Sequence, residues 1–127
     1  GVQYVDDSKA TNLSAMVASI RMQANPVWLI AGGRPKETDF SAAIPLLRDK
    51  VNGILLFGEG AAPMEAAWSS VVPCTVCETL ECAVAQARQR AKASDVVLLA
   101  PACTSYDQFP SYLHRGEAFQ KFVSEKG

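Results

Sequence analysis

The chain has 127 residues, 49% of them hydrophobic and 20% charged, with a formal net charge of −1. That length suits one domain with a real core, and twelve Lys and Arg against thirteen Asp and Glu leave no basic stripe of the kind that binds nucleic acid. No apolar run approaches the ~20 residues of a membrane span, the N-terminus lacks the regions of a signal peptide, and a chain that opens on Gly almost inside a strand reads as a domain cut from a longer protein.

An apolar run at residues 2–5 predicts the first strand, and the polar segment Asp6-Asp7-Ser8-Lys9-Ala10-Thr11-Asn12 follows it. Leu13, Met16, Val17 and Ile20 then recur at i, i+3, i+4 and i+7, one stripe of an amphipathic helix. A strand is expected at 27–31, then a glycine- and charge-rich loop at 32–39, then a helix at 41–49 with Ala43, Ile44 and Leu47 inward. A strand at 53–57 leads through Gly58-Glu59-Gly60 into a short helix at 61–69, and a fourth strand is expected at 71–76. Leu80, Ala83, Val84, Ala87 and Ala91 form the stripe of the next helix. A fifth strand at 96–100 precedes a polar, proline-bounded segment at 101–110, and the last helix spans about 114–125 with Phe119, Phe122 and Val123 inward.

The runs at 27–31 and 96–100 are unbroken apolar stretches, as expected of parallel strands covered on both faces. Strands alternating with helices predict right-handed crossovers. The expected architecture is one α/β domain over 1–127, a doubly wound, mostly parallel, Rossmann-like sheet with helices on both faces.

The polar and glycine- or proline-rich segments follow the strands, so all four belong on the carboxyl edge of the sheet, where such folds bind ligands. In the first, Asp6 and Asp7 suit a ribose hydroxyl or a hydrated metal, Lys9 suits a phosphate or a carboxylate, and the helix start offers free N–H groups to an anion. Lys36, beside Arg34 in the Gly-Gly loop, is either an anion clamp or a solvated loop lysine. Ser105 suits a hydrogen bond to a substrate carboxylate and Asp107 suits holding its loop or capping the segment after it; the alternative is a capped turn with no ligand. Neither G-x-G-x-x-G nor G-x-x-x-x-G-K-[ST] occurs, so this chain holds no complete nucleotide phosphate cradle.

Other chemistries fit less well. The single histidine, His114, and the absence of G-x-S-x-G argue against a serine nucleophile, and Cys103 has no evident base beside it. Cys74 and Cys77 form a C-x-x-C spacing, but along a strand an i, i+3 pair points to opposite faces. Free thiols in a reducing cytoplasm are expected, and no metal site. A receiver domain would need an Asp ending the third strand and a Lys ending the fifth; 56–59 read Leu-Phe-Gly-Glu and 99–101 read Leu-Ala-Pro. A stand-alone anion-binding or receiver-like signalling domain remains the alternative from another class.

Four groups of residues carry a resemblance: Asp7-Ser8-Lys9-Ala10-Thr11-Asn12; Gly32-Gly33 with Lys36 and Asp39-Phe40; Pro101-Ala102-Cys103 with Ser105 and Asp107-Gln108-Phe109; and Arg115-Gly116 with Phe119. Over its whole length the chain resembles the C-terminal domain of the Mur ligases, in the branch that adds D-glutamate. The resemblance implies a three-domain, cytoplasmic, monomeric ligase of peptidoglycan precursor synthesis. In that family ATP phosphorylates the carboxylate of UDP-N-acetylmuramoyl-L-alanine, and the D-glutamate amine attacks the acyl phosphate. By motif, Lys36 and Thr11 correspond to ligands of one D-glutamate carboxylate, Ser105 to a ligand of the other, and the backbone near Tyr112 completes that pocket. Asp7 corresponds to the nucleotide contact and Lys9 to the catalytic charge near the transferring phosphate. ATP, its Mg and the UDP substrate would be held mainly by the other two domains, and neither nucleic acid nor membrane is implied as a partner. Tyr112 stands where the family usually has Phe, Ala100 where Ser is common and Asp6 where Asn is common.

Overall fold

A computed structural model describes residues 1–125. The chain runs β1 (Gln3–Asp6), α1 (Leu13–Arg21), β2 (Val27–Gly32), β3 (Arg34–Pro35), α2 (Ile44–Lys50), β4 (Val51–Phe57), α3 (Ala61–Trp68), β5 (Cys74–Val76), α4 (Leu80–Arg90), β6 (Val96–Leu99), β7 (Cys103–Thr104) and α5 (Tyr112–Ser124). Five strands form one sheet in the order β1-β6-β2-β4-β5, and every neighbouring pair is parallel. The late strand β6 slots between β1 and β2, so the winding reverses and helices fall on both faces, as expected of a doubly wound sheet.

Strand alternation divides the core in two. Val27, Leu29 and Ala31 of β2, Ile54 and Leu56 of β4, and Val96 and Leu98 of β6 meet the inward stripes of α1, α2 and α3, including Met16, Ile20, Leu47, Met64 and Trp68. Ile30, Leu55, Phe57, Val97 and Leu99 point the other way, onto Leu80, Ala83, Val84 and Ala87 of α4 and Phe119 of α5. Burying each large apolar side chain contributes roughly 1.5–3 kcal/mol before chain entropy is set against it. Trp68 is fully buried; its ring packs edge-on to Phe40 at 5.9 Å and its Nε1–H donates to the Phe40 carbonyl at 2.9 Å. Three helices begin at side-chain caps, where Asn12, Thr79 and Ser111 accept N–H bonds from Ala15, Cys82 and His114.

The boundaries differ from expectation where backbone hydrogen bonding decides. The segment before β5 does not start a strand at Val71, because the Val71 and Val72 N–H groups both donate to the Trp68 carbonyl and extend the turn that ends α3. Pro73 has no N–H to give a ladder, so β5 starts at Cys74. The expected second helix opens as a 3₁₀ turn, Ser41–Ala43, with the Ser41 N–H held by the Asp39 carboxylate. The Gly-Gly segment, expected as a flexible loop, instead runs into β3, which pairs antiparallel with β7 through Arg34 opposite Thr104 and Pro35 opposite Cys103. No helix among the described residues is long and apolar enough to cross a membrane.

Candidate functional site at the carboxyl edge of the sheet

Because the five strands are parallel, the segments after β1, β2, β4 and β6 emerge on one edge and bond to each other. The Asp7 N–H donates to the Leu99 carbonyl, Gly32 to Pro101, Gly33 to Phe57, Gly60 to Gly33, and Ala102 to Ala10. Gly33 crosses so close to β7 that a Cβ would sit 2.1 Å from the Thr104 carbonyl oxygen, and its φ of +127° suits only glycine. Ala102 holds a left-handed φ of +62°, strained for a residue with a Cβ and fixed by its bond to Ala10. Asp107 does hold its loop: Oδ2 accepts the Glu59 N–H at 3.0 Å, bridging the segments after β4 and β7.

Arg115, on the inward face of α5, lies beneath three of these segments with 0% exposure. Its Nε donates to Ser8 Oγ at 2.9 Å, one terminal nitrogen donates to the Cys103 carbonyl at 2.9 Å and the Gly32 carbonyl at 3.4 Å, and the other donates to the Ser8 carbonyl at 2.7 Å. Ser8 Oγ in turn donates to the Tyr112 carbonyl at 2.7 Å. Burial pulls the guanidinium down to about 10, still far enough above neutrality to keep it a cation. The sequence marked Arg115 only as part of the family resemblance and assigned it no role. The available signal was an arginine four residues before Phe119, on the stripe that the last helix buries.

A cavity of about 330 Å³ opens between the first loop and α5, lined by Asp6, Asp7, Ser8, Lys9, Tyr112, Leu113, Gly116, Glu117 and Gln120. It brings together Asp7, Lys9 and Tyr112. Lys9 is exposed and Asp7 half-buried, while Asp6 is engaged, accepting from Ser8 N and from Gln120 Nε2. Tyr112 opens α5, so its N–H belongs to the first turn, whose donors a helix leaves without backbone partners.

Thr11, Lys36 and Ser105 do not line this cavity. Thr11 and Lys36 sit on adjoining segments, because Glu37 Oε2 accepts the Leu13 N–H at the start of α1 and so ties the Lys36 loop to the helix that Thr11 precedes. Ser105 follows β7 directly and is 2% exposed, so a ligand reaches its hydroxyl only if the surrounding loop shifts. In the β3·β7 register Lys36 falls opposite Ala102 and Ser105 opposite Gly33. The offset of three positions is about 10 Å of backbone at a strand rise of ~3.3 Å. Two buried carboxylate oxygens on this edge, Glu37 Oε1 and Asp107 Oδ1, have no partner among the described residues. His114 completes a cap: Ser111 Oγ accepts its N–H and lies 2.7 Å from Nδ1.

The donor set fits part of a nucleotide. The Asp7 carboxylate, which has no side-chain partner among the described residues, suits a ribose hydroxyl, and Lys9 suits a phosphate as a compact charge. Among the described residues no group of three or more His, Cys, Asp or Glu is placed to hold a metal. Magnesium bound through substrate phosphates and one or two carboxylates needs no such cage.

The cysteines stand apart from this chemistry. Cys74 packs against one core and Cys77 lies in the other, so the C-x-x-C pair spans the sheet as the spacing predicts. Burial raises Cys103 and Cys77 to about 12 and Cys74 to about 11, leaving little thiolate, the reactive form, at neutral pH. Cys82 is exposed on α4. Brief iodoacetamide treatment of the folded chain at pH 8 is therefore expected to alkylate Cys82 well ahead of the other three, with all four labelled after denaturation. Peptide mass spectrometry reads this directly; rapid native labelling of Cys103 would show that its loop opens freely.

The family described as Mur ligase, glutamate ligase domain, matches residues 1–103. The UDP-N-acetylmuramoylalanine--D-glutamate ligase of Nitratidesulfovibrio vulgaris (strain DP4) is 46% identical over 123 residues. The ligase of the same name from Myxococcus xanthus (strain DK1622) is 40% identical over 123. Both alignments cover 97% of this chain, which spans only 28% and 27% of those relatives' lengths. A solved domain from Haemophilus ducreyi 35000HP, described as part of a UDP-N-acetylmuramate:L-alanyl-gamma-D-glutamyl-diaminopimelate ligase, superposes with a TM-score of 0.58 at 13% identity. It covers 97% of this chain and 88% of its own, a likeness of fold. The fold is thus shared with that domain, sequence similarity to the D-glutamate ligases runs over almost the whole of this chain, and the chain belongs to the Mur ligase C-terminal, or glutamate ligase, domain family.

Proposed function

We propose that this chain is the amino-acid-binding domain of a cytoplasmic, ATP-dependent ligase that joins D-glutamate to UDP-N-acetylmuramoyl-L-alanine in peptidoglycan precursor synthesis. The observation that carries the proposal is the locking of three loops bearing Asp7, Lys9, Thr11, Lys36 and Ser105 onto one sheet edge. They stand there in a chain 40–46% identical to such ligases over nearly its whole length.

In this reading the edge faces the rest of the enzyme, which holds the UDP substrate, magnesium and most of ATP. Lys36 and the Thr11 hydroxyl, on adjoining segments, receive one carboxylate of D-glutamate. Ser105 and the first-turn N–H groups of α5 at Tyr112 receive the other. The backbone spacing of Lys36 and Ser105 leaves a long lysine side chain to close the gap onto a five-carbon diacid. Asp7 accepts a ribose hydroxyl of ATP, and Lys9 stands over the phosphoryl group that moves to the muramoyl-alanine carboxylate. Phosphoryl transfer depends on positioning and charge neutralisation, which a closing domain with cationic loops supplies.

The test is a coupled assay of the full-length protein. Phosphate release is expected only with ATP, UDP-N-acetylmuramoyl-L-alanine and D-glutamate all present, and none is expected from the 127-residue chain, which has no phosphate-binding loop of its own. Turnover with another amino acid in place of D-glutamate, or sustained ATP hydrolysis by the pure chain, would overturn the proposal.

A further inference from the structure

We propose that Arg115 is a positioning residue that sets the nucleotide-side loop against the amino-acid-side loops, so that one guanidinium places both Lys9 and Ser105. This assignment rests on the ligase reading above. Ser8, which takes two of the hydrogen bonds, lies between Asp7 and Lys9; the Cys103 carbonyl lies two residues before Ser105; the Gly32 carbonyl opens the segment leading to Lys36. Three loops that meet nowhere in sequence therefore share one donor.

The chemistry of the contact separates positioning from ordinary core packing. Arg115 is fully buried, and among the described residues all its hydrogen-bond acceptors are neutral oxygens, the carboxylates of Asp107 and Asp6 acting on it only through space. A buried cation without an ion pair is a poor way to gain stability, since apolar residues of similar volume often do as well or better. What a guanidinium adds is a rigid planar fork whose donors fix several acceptors at once. Helix α5 is matched to that task. Gly116 keeps the helix close to the first loop, because a Cβ there would lie 3.3 Å from Ser8 Cβ and 2.9 Å from Asp6 Oδ2. The Ser8 hydroxyl passes the contact on to the Tyr112 carbonyl, so the first turn of α5 is set by the same network.

The test uses Arg115→Lys, which keeps the charge and loses the fork, together with Ser8→Ala, which removes the Nε acceptor. In the full-length ligase Arg115→Lys is expected to lower kcat and raise the KM for D-glutamate together, each by roughly tenfold or more, because both loops lose a charged hydrogen bond. Ser8→Ala is expected to lower kcat and, through the first turn of α5, to raise the KM for D-glutamate less than Arg115→Lys does, and the double variant to be little worse than Arg115→Lys, since the two changes break one network. In the 127-residue chain, amide resonances of Asp7–Lys9 and of Cys103–Ser105 should shift together in Arg115→Lys while those of Ile20 and Leu47, on the far helices, stay in place. Native kinetics in both single variants, additive losses in the double, or resonances moving across the whole chain would overturn the assignment. Where Arg115→Lys fails to fold, Ser8→Ala decides alone through its kcat. If Lys36→Ala also leaves D-glutamate kinetics untouched, the ligase reading itself has failed; if Lys36→Ala behaves as expected while the Arg115 and Ser8 variants stay native, only the positioning role has.

Discussion

Replacing Lys9 by Ala in the proposed full-length ligase is expected to cut kcat by about two or more orders of magnitude, the scale seen when a preorganised electrostatic stabiliser is lost. KM values for ATP, D-glutamate and the UDP substrate should change modestly, because charge that matters mainly in the transition state lowers kcat more than it weakens ground-state binding. Lys9 lines the cavity beside Asp7 and makes no ion pair among the described residues. Of the two neighbouring carboxylates that could pair with it at the surface, Asp6 is occupied by Ser8 N and Gln120, and Asp7 forms no ion pair with it. Were Lys9 merely paired at the surface, its loss would remove ~0–1 kcal/mol and leave turnover near normal. Lys9→Arg should rescue poorly, since a planar fork does not replace a compact, strongly hydrated point charge. A steady-state assay with all three substrates saturating separates these outcomes.

Lys36→Ala and Ser105→Ala are expected to act on the other parameter. Each should raise the KM for D-glutamate by roughly ten- to a hundred-fold, the equivalent of about 1.5–3 kcal/mol for a lost hydrogen bond to a charged group. KM for ATP and the UDP substrate should move little. Lys36 is exposed on a segment anchored by β3 and by Glu37, so its loss should not disturb the fold. Ser105 is buried, so its variant also needs a thermal melt to show that the loop is intact. Unchanged D-glutamate kinetics in both variants would remove these two residues from the pocket. With Lys9 acting on kcat, Lys36 and Ser105 on KM, and Arg115 on both, the four positions give three distinguishable kinetic signatures.

Local chemistry made much of this legible in the sequence. Unbroken apolar runs at 27–31 and 96–100 are what strands covered on both faces require, and the structure holds them as the inner strands Val27–Gly32 and Val96–Leu99. The stripe through Leu13, Met16 and Ile20 faces one core and that through Leu80, Ala83, Val84 and Ala87 the other. Once strands alternate with helices, parallel pairing puts every strand-to-helix segment on one edge, so the neighbourhood of Asp7, Lys9, Lys36 and Ser105 followed from element order alone.

Tertiary structure decided what depends on contacts between distant segments. Nothing local tells β6 to insert between β1 and β2; that order comes from how the two cores close. The β3·β7 ribbon joins two-residue strands too short to carry a periodic signal, and it forms because Gly33 permits the approach to Thr104. The Lys36 loop gained an anchor at Glu37, 24 positions from its partner Leu13, and the Ser105 hydroxyl was found nearly closed off rather than open. Arg115 is the clearest case. Its place on an inward helical stripe was visible, but its acceptors on Ser8 and Gly32 lie 107 and 83 positions away. A pattern of side chains shows which face of a helix is buried, whereas the carbonyls waiting on that face are backbone groups present at every residue, and only the folded chain selects which of them a guanidinium meets.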